Sequence, residues 1–231
     1  MRFGGIQKTS LIDYPGQVSC VVFTLGCNFH CPYCHNPDIV KEKPVQGLFE
    51  EEDLYAFLKK RKGLLDGVVL SGGEPTLQKD LARVCLQIKT LGFSVKLDTN
   101  GGQPQVLKTI LEAGLADYVA MDIKTDPHHY APAISYKDPA HDILESIRLI
   151  MGSSISYEFR TTCVKPFVDE PIMEQITQII EGARLYALQH FQPNHLLTPE
   201  FFKDTTPGFD PEGMGRLLAV AAPNVQSCII R

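Results

Sequence analysis

The chain has 231 residues, with 27 acidic and 22 basic side chains and a formal net charge of -5. At 44% hydrophobic and 21% charged residues, the composition is neither that of a disordered chain nor that of a membrane span of roughly 20 apolar residues. The mild acidity argues against a broad nucleic-acid surface, and Met1-Arg2-Phe3 opens no signal peptide, so a cytoplasmic protein is expected.

Residues 1–18 read as an N-terminal extension, and residues 19–40 as a first strand followed by a cysteine-bearing loop. Further strand patterns fall at 67–71, 93–98, 117–124, 154–163, 186–191 and 225–230. Runs such as Val68-Val69-Leu70 suit strands covered on both faces. Helical apolar stripes lie between them. Leu77, Leu81, Val84, Cys85, Ile88 and Leu91 form one, closed by Gly92. Val106, Leu107, Ile110 and Leu111 form the next, between Pro104 and Gly114. Ile143, Ile147, Ile150 and Met151 form a third, and Ile172, Ile176, Ile179 and Ile180 a fourth, opened near Pro171. Asp210-Pro211 starts a last helix after a Pro- and Gly-rich surface loop at 194–215.

The basic run Lys59-Lys60-Arg61-Lys62 imitates a nucleic-acid patch. Glu50-Glu51-Glu52-Asp53 precedes it and Gly63 follows it, however, which is the charge order that complements a helix dipole. Strand–helix–strand repetition implies right-handed crossovers and a parallel sheet. About six units fit, too few for a complete eight-unit barrel. An α/β fold in one domain, 1–231, is therefore expected, as an open doubly wound sheet or a partial barrel. Both place chemistry at the C-terminal ends of the strands.

Seven cysteines are unevenly spread: Cys27, Cys31 and Cys34 are packed closely, while Cys20, Cys85, Cys163 and Cys228 are scattered. An odd number without a secretion signal is a poor disulfide framework. The scattered four fall in strands or on an apolar stripe and read as small buried hydrophobes. The close three, spaced Cys-x3-Cys-x2-Cys straight after a strand, can converge on one soft-metal site. Free thiols this dense are an oxidation liability. A structural zinc site would need a fourth ligand, for which His30 and His35 are at hand. A four-iron, four-sulfur cluster on three cysteines would leave one iron open to a substrate.

That spacing, with the aromatic Tyr33 before the third cysteine, resembles the signature of the radical S-adenosylmethionine (SAM) superfamily. The resemblance implies that Cys27, Cys31 and Cys34 hold a 4Fe-4S cluster, and that SAM chelates the open iron through its amino and carboxylate groups. Reductive cleavage then gives a radical that takes a hydrogen atom from a substrate. This is cofactor chemistry that the protein positions and shields.

The later strand ends carry matching residues. After the second strand stands Ser71-Gly72-Gly73-Glu74-Pro75, where a Gly pair lets the backbone approach a ligand. The corresponding family motif contacts the amino group of the cofactor methionine. Leu97-Asp98-Thr99-Asn100-Gly101 and Met121-Asp122-Ile123-Lys124 follow, and a carboxylate in an apolar strand calls for a partner. An ion pair of Asp122 with Lys124 or with a neighbouring strand is one reading. The resemblance to the glycyl-radical-activating branch gives the other. It puts Asp98, Thr99, Asp122 and Lys124 around the methionine carboxylate and lets the two aspartates share a monovalent cation. Tyr33, Gly72, Gly73, Glu74 and Arg160 complete the expected cofactor contacts. Arg160 either reaches the cofactor or substrate or pairs with Glu158 or Asp122, and His190 and Gln192 read as rim residues.

Thr9-Ser10-Leu11-Ile12-Asp13-Tyr14-Pro15-Gly16, Phe23-Thr24-Leu25-Gly26-Cys27 and Cys34-His35-Asn36-Pro37 extend the likeness along the chain. They resemble the activating proteins of anaerobic ribonucleoside-triphosphate reductases. This implies a partial (β/α)6 barrel, a large glycyl-radical enzyme as partner, a flavodoxin or ferredoxin as reductant, and neither nucleic acid nor membrane. A radical SAM enzyme acting on a small molecule, such as a deazapurine precursor, shares the motifs. A non-catalytic zinc or electron-transfer module is a reading of another class.

Overall fold

A computed structural model describes residues 1–43 and 49–231. Strand β1 (Arg2–Ser10) turns back antiparallel onto β2 (Ser19–Thr24), which opens into the cysteine loop and the short helix α1 (Pro37–Val40). Then follow β3 (Phe49–Glu50), α2 (Glu51–Lys60), β4 (Gly67–Gly72), α3 (Leu81–Thr90), β5 (Ser94–Thr99), α4 (Pro104–Glu112) and β6 (Tyr118–Asp122). The chain ends with α5 (Ala140–Met151), β7 (Ser156–Cys163), α6 (Glu170–Ile179), β8 (Tyr186–His190), α7 (Pro211–Ala221) and β9 (Cys228–Ile230).

All these strands join one sheet in the order β3-β1-β2-β4-β5-β6-β7-β8-β9. From β2 onward every neighbouring pair is parallel, and spatial order follows chain order. A doubly wound sheet needs a point where the strand order reverses. With no reversal, right-handed crossovers put all the helices on one face. That decides for the partial barrel, with helices outside and a lumen within.

Alternation along the strands separates the two faces. Val68, Leu70, Val95, Leu97, Val119 and Met121 are completely buried and share one core with Val84, Ile88, Leu107, Ile110 and Ile147 of the helices. The intervening residues face the lumen. Near the strand starts these are apolar: Val21, Val69, Tyr118 and Ala120 pack with Tyr14 into a small floor. Towards the strand ends they become Ser71, Asp98, Asp122, Arg160, Thr162 and Gln189. Among the described residues no helix is long and apolar enough to cross a membrane.

Three expectations change. Part of the 1–18 extension is the strand β1; its Gly4-Gly5 pair and polar tail carry weak strand propensity, and pairing with β2 supplies the order. Leu77 belongs to a separate 3-10 turn, Pro75–Leu77, rather than to α3. The 194–215 segment is no plain surface loop: Leu197 N–H donates to Cys34 O and Thr198 N–H to Pro32 O, at 3.0 and 3.1 Å, so it clasps the cysteine loop.

The acidic start of α2 also reaches beyond its own dipole. Glu51 accepts from Arg83 Nη1 and Nη2 at 2.7 Å each, which ties α2 to α3. Arg83 holds the Glu51 carboxyl down from the ordinary 4.5 to about 2. A lowered carboxylate contributes stability above its unfolded pKa and loses it as pH falls towards its folded value. Glu51→Gln should therefore lower the urea midpoint at neutral pH and flatten the decline of stability between pH 4.5 and about 2. A variant whose acid limb matches that of the natural chain would contradict this.

Candidate active site

The C-terminal ends of the parallel strands and the loop after β2 enclose a cavity of about 260 Å³. Cys27, Cys31 and Cys34 line it from the loop, Gly72, Gly73 and Glu74 from the turn after β4, and Asp98, Asp122, Lys124 and Arg160 from the later strands. Tyr33 is in the wall, buried against Phe167, with its hydroxyl donating to Lys124 O at 3.4 Å. Thr99 lies behind the carboxylate of Glu74. All the predicted site residues are thus in one place. His190 and Gln192 are exposed, and Gln189 is the residue that β8 turns to the cavity.

Glycine is required where the β4 turn meets the cysteine loop. Gly72 has φ +106, open to glycine but strained for other residues. A Cβ on Gly73 would lie 1.9 Å from Gly26 O. Gly73 N–H donates to Thr24 O at 2.9 Å and Glu74 N–H to Gly26 O at 2.8 Å. Glu74 is buried and acts as a hub. Its Oε1 accepts from Thr76 N–H at 3.0 Å, Thr76 Oγ1 at 2.5 Å and Thr99 Oγ1 at 2.8 Å, and its Oε2 accepts from Asn100 N–H at 2.7 Å. Oε2 has one donor and keeps capacity for a second. Asn100 continues the link with its side-chain amide, which donates to Asn28 Oδ1 at 2.8 Å and to Cys27 Sγ at 3.7 Å.

Across the cavity runs a row of alternating charge. Register sets Asp122 opposite Arg160 on β6 and β7. Arg160 Nε meets Asp122 Oδ1 at 2.7 Å, Lys124 Nζ meets Asp122 Oδ2 at 2.9 Å, and Arg160 Nη1 meets Asp98 Oδ2 at 3.3 Å. Ser71 Oγ donates to Asp98 Oδ2 at 3.1 Å, and Lys96 Nζ pairs with Asp98 Oδ1. Burial alone would raise the Asp122 carboxyl and lower the Lys124 ammonium. Arg160 and Lys124 beside Asp122 outweigh that cost, holding Asp122 well below and Lys124 well above their ordinary values. Both pairings considered for Asp122 are therefore present, while Glu158 pairs with Arg231 instead of Arg160.

Burial pushes the Cys27 thiol up to about 11 and Cys31 to about 12, and raises Cys34 as well. Such thiols become thiolates when a metal takes the proton's place. Among the described residues no three His, Cys, Asp or Glu side chains are close enough to hold a single ion. Of the zinc ligands considered above, His30 stacks on Tyr136 with its Nε2 3.0 Å from Pro132 O and its Nδ1 buried without a partner, and His35 Nδ1 lies 3.4 Å from Asn194 O.

Residues 21–178 match the Radical SAM superfamily. The chain belongs to the radical SAM superfamily. A Methanocaldococcus jannaschii protein named as a glycyl-radical enzyme activating enzyme is 37% identical over 209 residues, covering 86% of this chain and 83% of that one. A 7-carboxy-7-deazaguanine synthase of Thermococcus kodakarensis is 33% identical over 130 residues, covering 48% of this chain and 51% of that one. Among solved structures, SAM-bound SuiB of Streptococcus suis superimposes with a TM-score of 0.67 at 11% identity, over 90% of this chain and 49% of that one, which is a likeness of fold.

Radical SAM membership implies a 4Fe-4S cluster and SAM. The donor set fits both: three thiols around one cavity, Cys31 buried and Cys27 and Cys34 half-buried, and beside them paired carboxylate and cationic groups matching the zwitterionic end of an amino acid. Each oxygen of Asp98 and Asp122 already meets an ammonium or guanidinium of the protein itself.

Lining residues beyond the predicted contacts include Ser71, Asn100, Thr162 and Gln189. Period-two alternation from Asp98 and Arg160 could have found Thr162, and Asn100 was legible only as a turn former.

The close approach at Gly73 gives a direct test. Gly73→Ala should cost about 1–3 kcal/mol in urea unfolding, as overpacking does, and reduce iron uptake on reconstitution. Gly5→Ala, whose Cβ meets nothing within 4 Å, should leave iron uptake unchanged.

Proposed function

We propose that this chain is an activating enzyme that removes a hydrogen atom from one glycine of a large glycyl-radical enzyme, of the anaerobic ribonucleoside-triphosphate reductase type. The observation that carries the reading is the likeness to the M. jannaschii activating enzyme, which spans most of both chains, whereas the deazaguanine synthase matches over about half of each. The N-terminal Thr9–Gly16 motif supports the reductase-type partner by resemblance. A flavodoxin or ferredoxin is the expected reductant, the setting is the cytoplasm, and residues 1–231 act as one radical SAM core.

In this reading Cys27, Cys31 and Cys34 hold the cluster. When bound and reduced, cluster and SAM supply a carbon radical able to take one hydrogen atom. Gly72 and Gly73 let the backbone come close to the methionine amino group, and Glu74 Oε2 offers it an acceptor. Lys124 and Arg160 would receive the methionine carboxylate, and Asp98 and Asp122 keep those two cations in place. Thr99 holds Glu74 in its rotamer, and Tyr33 closes the wall. A glycine Cα hydrogen is a suitable target, because the amides on both sides stabilise the product radical. Docking of the partner excludes water and fixes the donor close to the reacting carbon.

The test mixes reduced protein, SAM and an anaerobic reductase without oxygen. An organic radical should appear in electron paramagnetic resonance, with a splitting that collapses when the partner's glycine α-hydrogens are deuterium. A partner with alanine at the radical glycine should give no signal. Turnover of a deazapurine precursor, with no glycyl-radical protein accepting abstraction, would replace this reading.

A further inference from the structure

We propose that Lys96 is a built-in cation of the site, doing at Asp98 what a bound alkali metal ion would otherwise do, so that SAM binding by this chain needs no added monovalent ion. The inference rests on the proposed cofactor site.

Lys96 and Asp98 are two apart on β5 and face the same side of the strand, into the lumen. Lys96 is 1% exposed and lies beneath the cavity rather than in its lining. Its Nζ pairs with Asp98 Oδ1 and stands 5.8 Å from the centre of the Tyr118 ring, its register partner on β6. A buried ammonium is retained only where it is paired, and here a carboxylate above and an aromatic face beside it provide that.

Within the row, Asp98 and Asp122 bring two negative charges and Lys96, Lys124 and Arg160 three positive ones; Glu158, buried on the same face of β7, is met by Arg231, and Glu74 lines the far side of the cavity. An alkali ion added here would be a fourth positive charge, in a lumen where repulsion is weakly screened. The surplus already present is of the sign that a methionine carboxylate neutralises. Lys124 and Arg160 are at the cavity surface for that contact, while Lys96 holds Asp98 from below and so leaves Arg160 less fully committed to it. Lys96 is therefore a positioning residue, acting through Asp98.

The experiment measures SAM affinity of the anaerobically reconstituted protein, cluster oxidised, at fixed ionic strength. The sole buffer cation is potassium, sodium or the bulky tetramethylammonium. The natural chain should bind equally in all three. Lys96→Ala removes the ammonium and leaves room for an ion; it should bind about ten-fold more weakly in tetramethylammonium and recover in potassium or sodium. Sodium NMR linewidths, read without SAM, should broaden with Lys96→Ala and not with the natural chain. A natural chain whose SAM affinity or sodium linewidth reveals a saturable alkali-ion site overturns the proposal. So does a Lys96→Ala variant that behaves like the natural chain in every salt. If Lys96→Ala does not fold, the natural chain's salt series decides alone. If SAM binds in no salt, the cofactor reading falls, while the sodium linewidths still judge Lys96.

Discussion

The close contact of two loops is the constraint on which the rest of the site depends. Gly73 lies so near Gly26 that no side chain fits, and two backbone hydrogen bonds run across the gap. Those bonds seat the cysteine loop on the end of β4. Glu74, next in the chain, is then held over the end of β5 by Thr76, Thr99 and Asn100, and Asn100 reaches back to Asn28 and Cys27. The ring loop–turn–strand–loop closes on itself through buried polar groups that satisfy one another. Such a network is rigid when complete and costly when broken.

Below that ring the lumen is layered by polarity. Its floor is a small apolar cluster around Tyr14, Val21, Val69 and Tyr118. Above it, β5, β6 and β7 contribute one alternating row, Lys96, Asp98, Arg160, Asp122 and Lys124. Buried charges in such a row stabilise one another chiefly by sparing each other desolvation, and removing one member leaves its neighbour uncompensated. The row is thus better suited to specifying geometry than to adding stability.

Much of this was legible from residue order. Continuous apolar runs marked the inner strands, since residues covered on both faces need not alternate. The cysteine spacing and the Gly-Gly-Glu turn marked the rim, because each motif is local. What was not legible depended on register. Arg160 meets Asp122 because β6 and β7 align those two positions, and nothing within either strand announces the match. Lys96 lies beneath Asp98 on β5, and its place beside the Tyr118 ring depends on the register of β6. Strand β1 was hidden for a related reason: its glycines and polar residues take the extended form only because β2 offers an edge to pair with. The strand order, which separates a partial barrel from a doubly wound sheet, is likewise a long-range property that periodicity cannot carry.

The central claim is that three cysteines and no fourth hold the cluster, leaving one iron for SAM. Mössbauer spectroscopy of the reconstituted protein, with and without SAM, tests this most directly. The account predicts that one iron of the four changes its isomer shift when SAM is added while the other three keep theirs. Four irons that are all indifferent to SAM, in a cluster lost on replacement of Cys85 or Cys228, would contradict it.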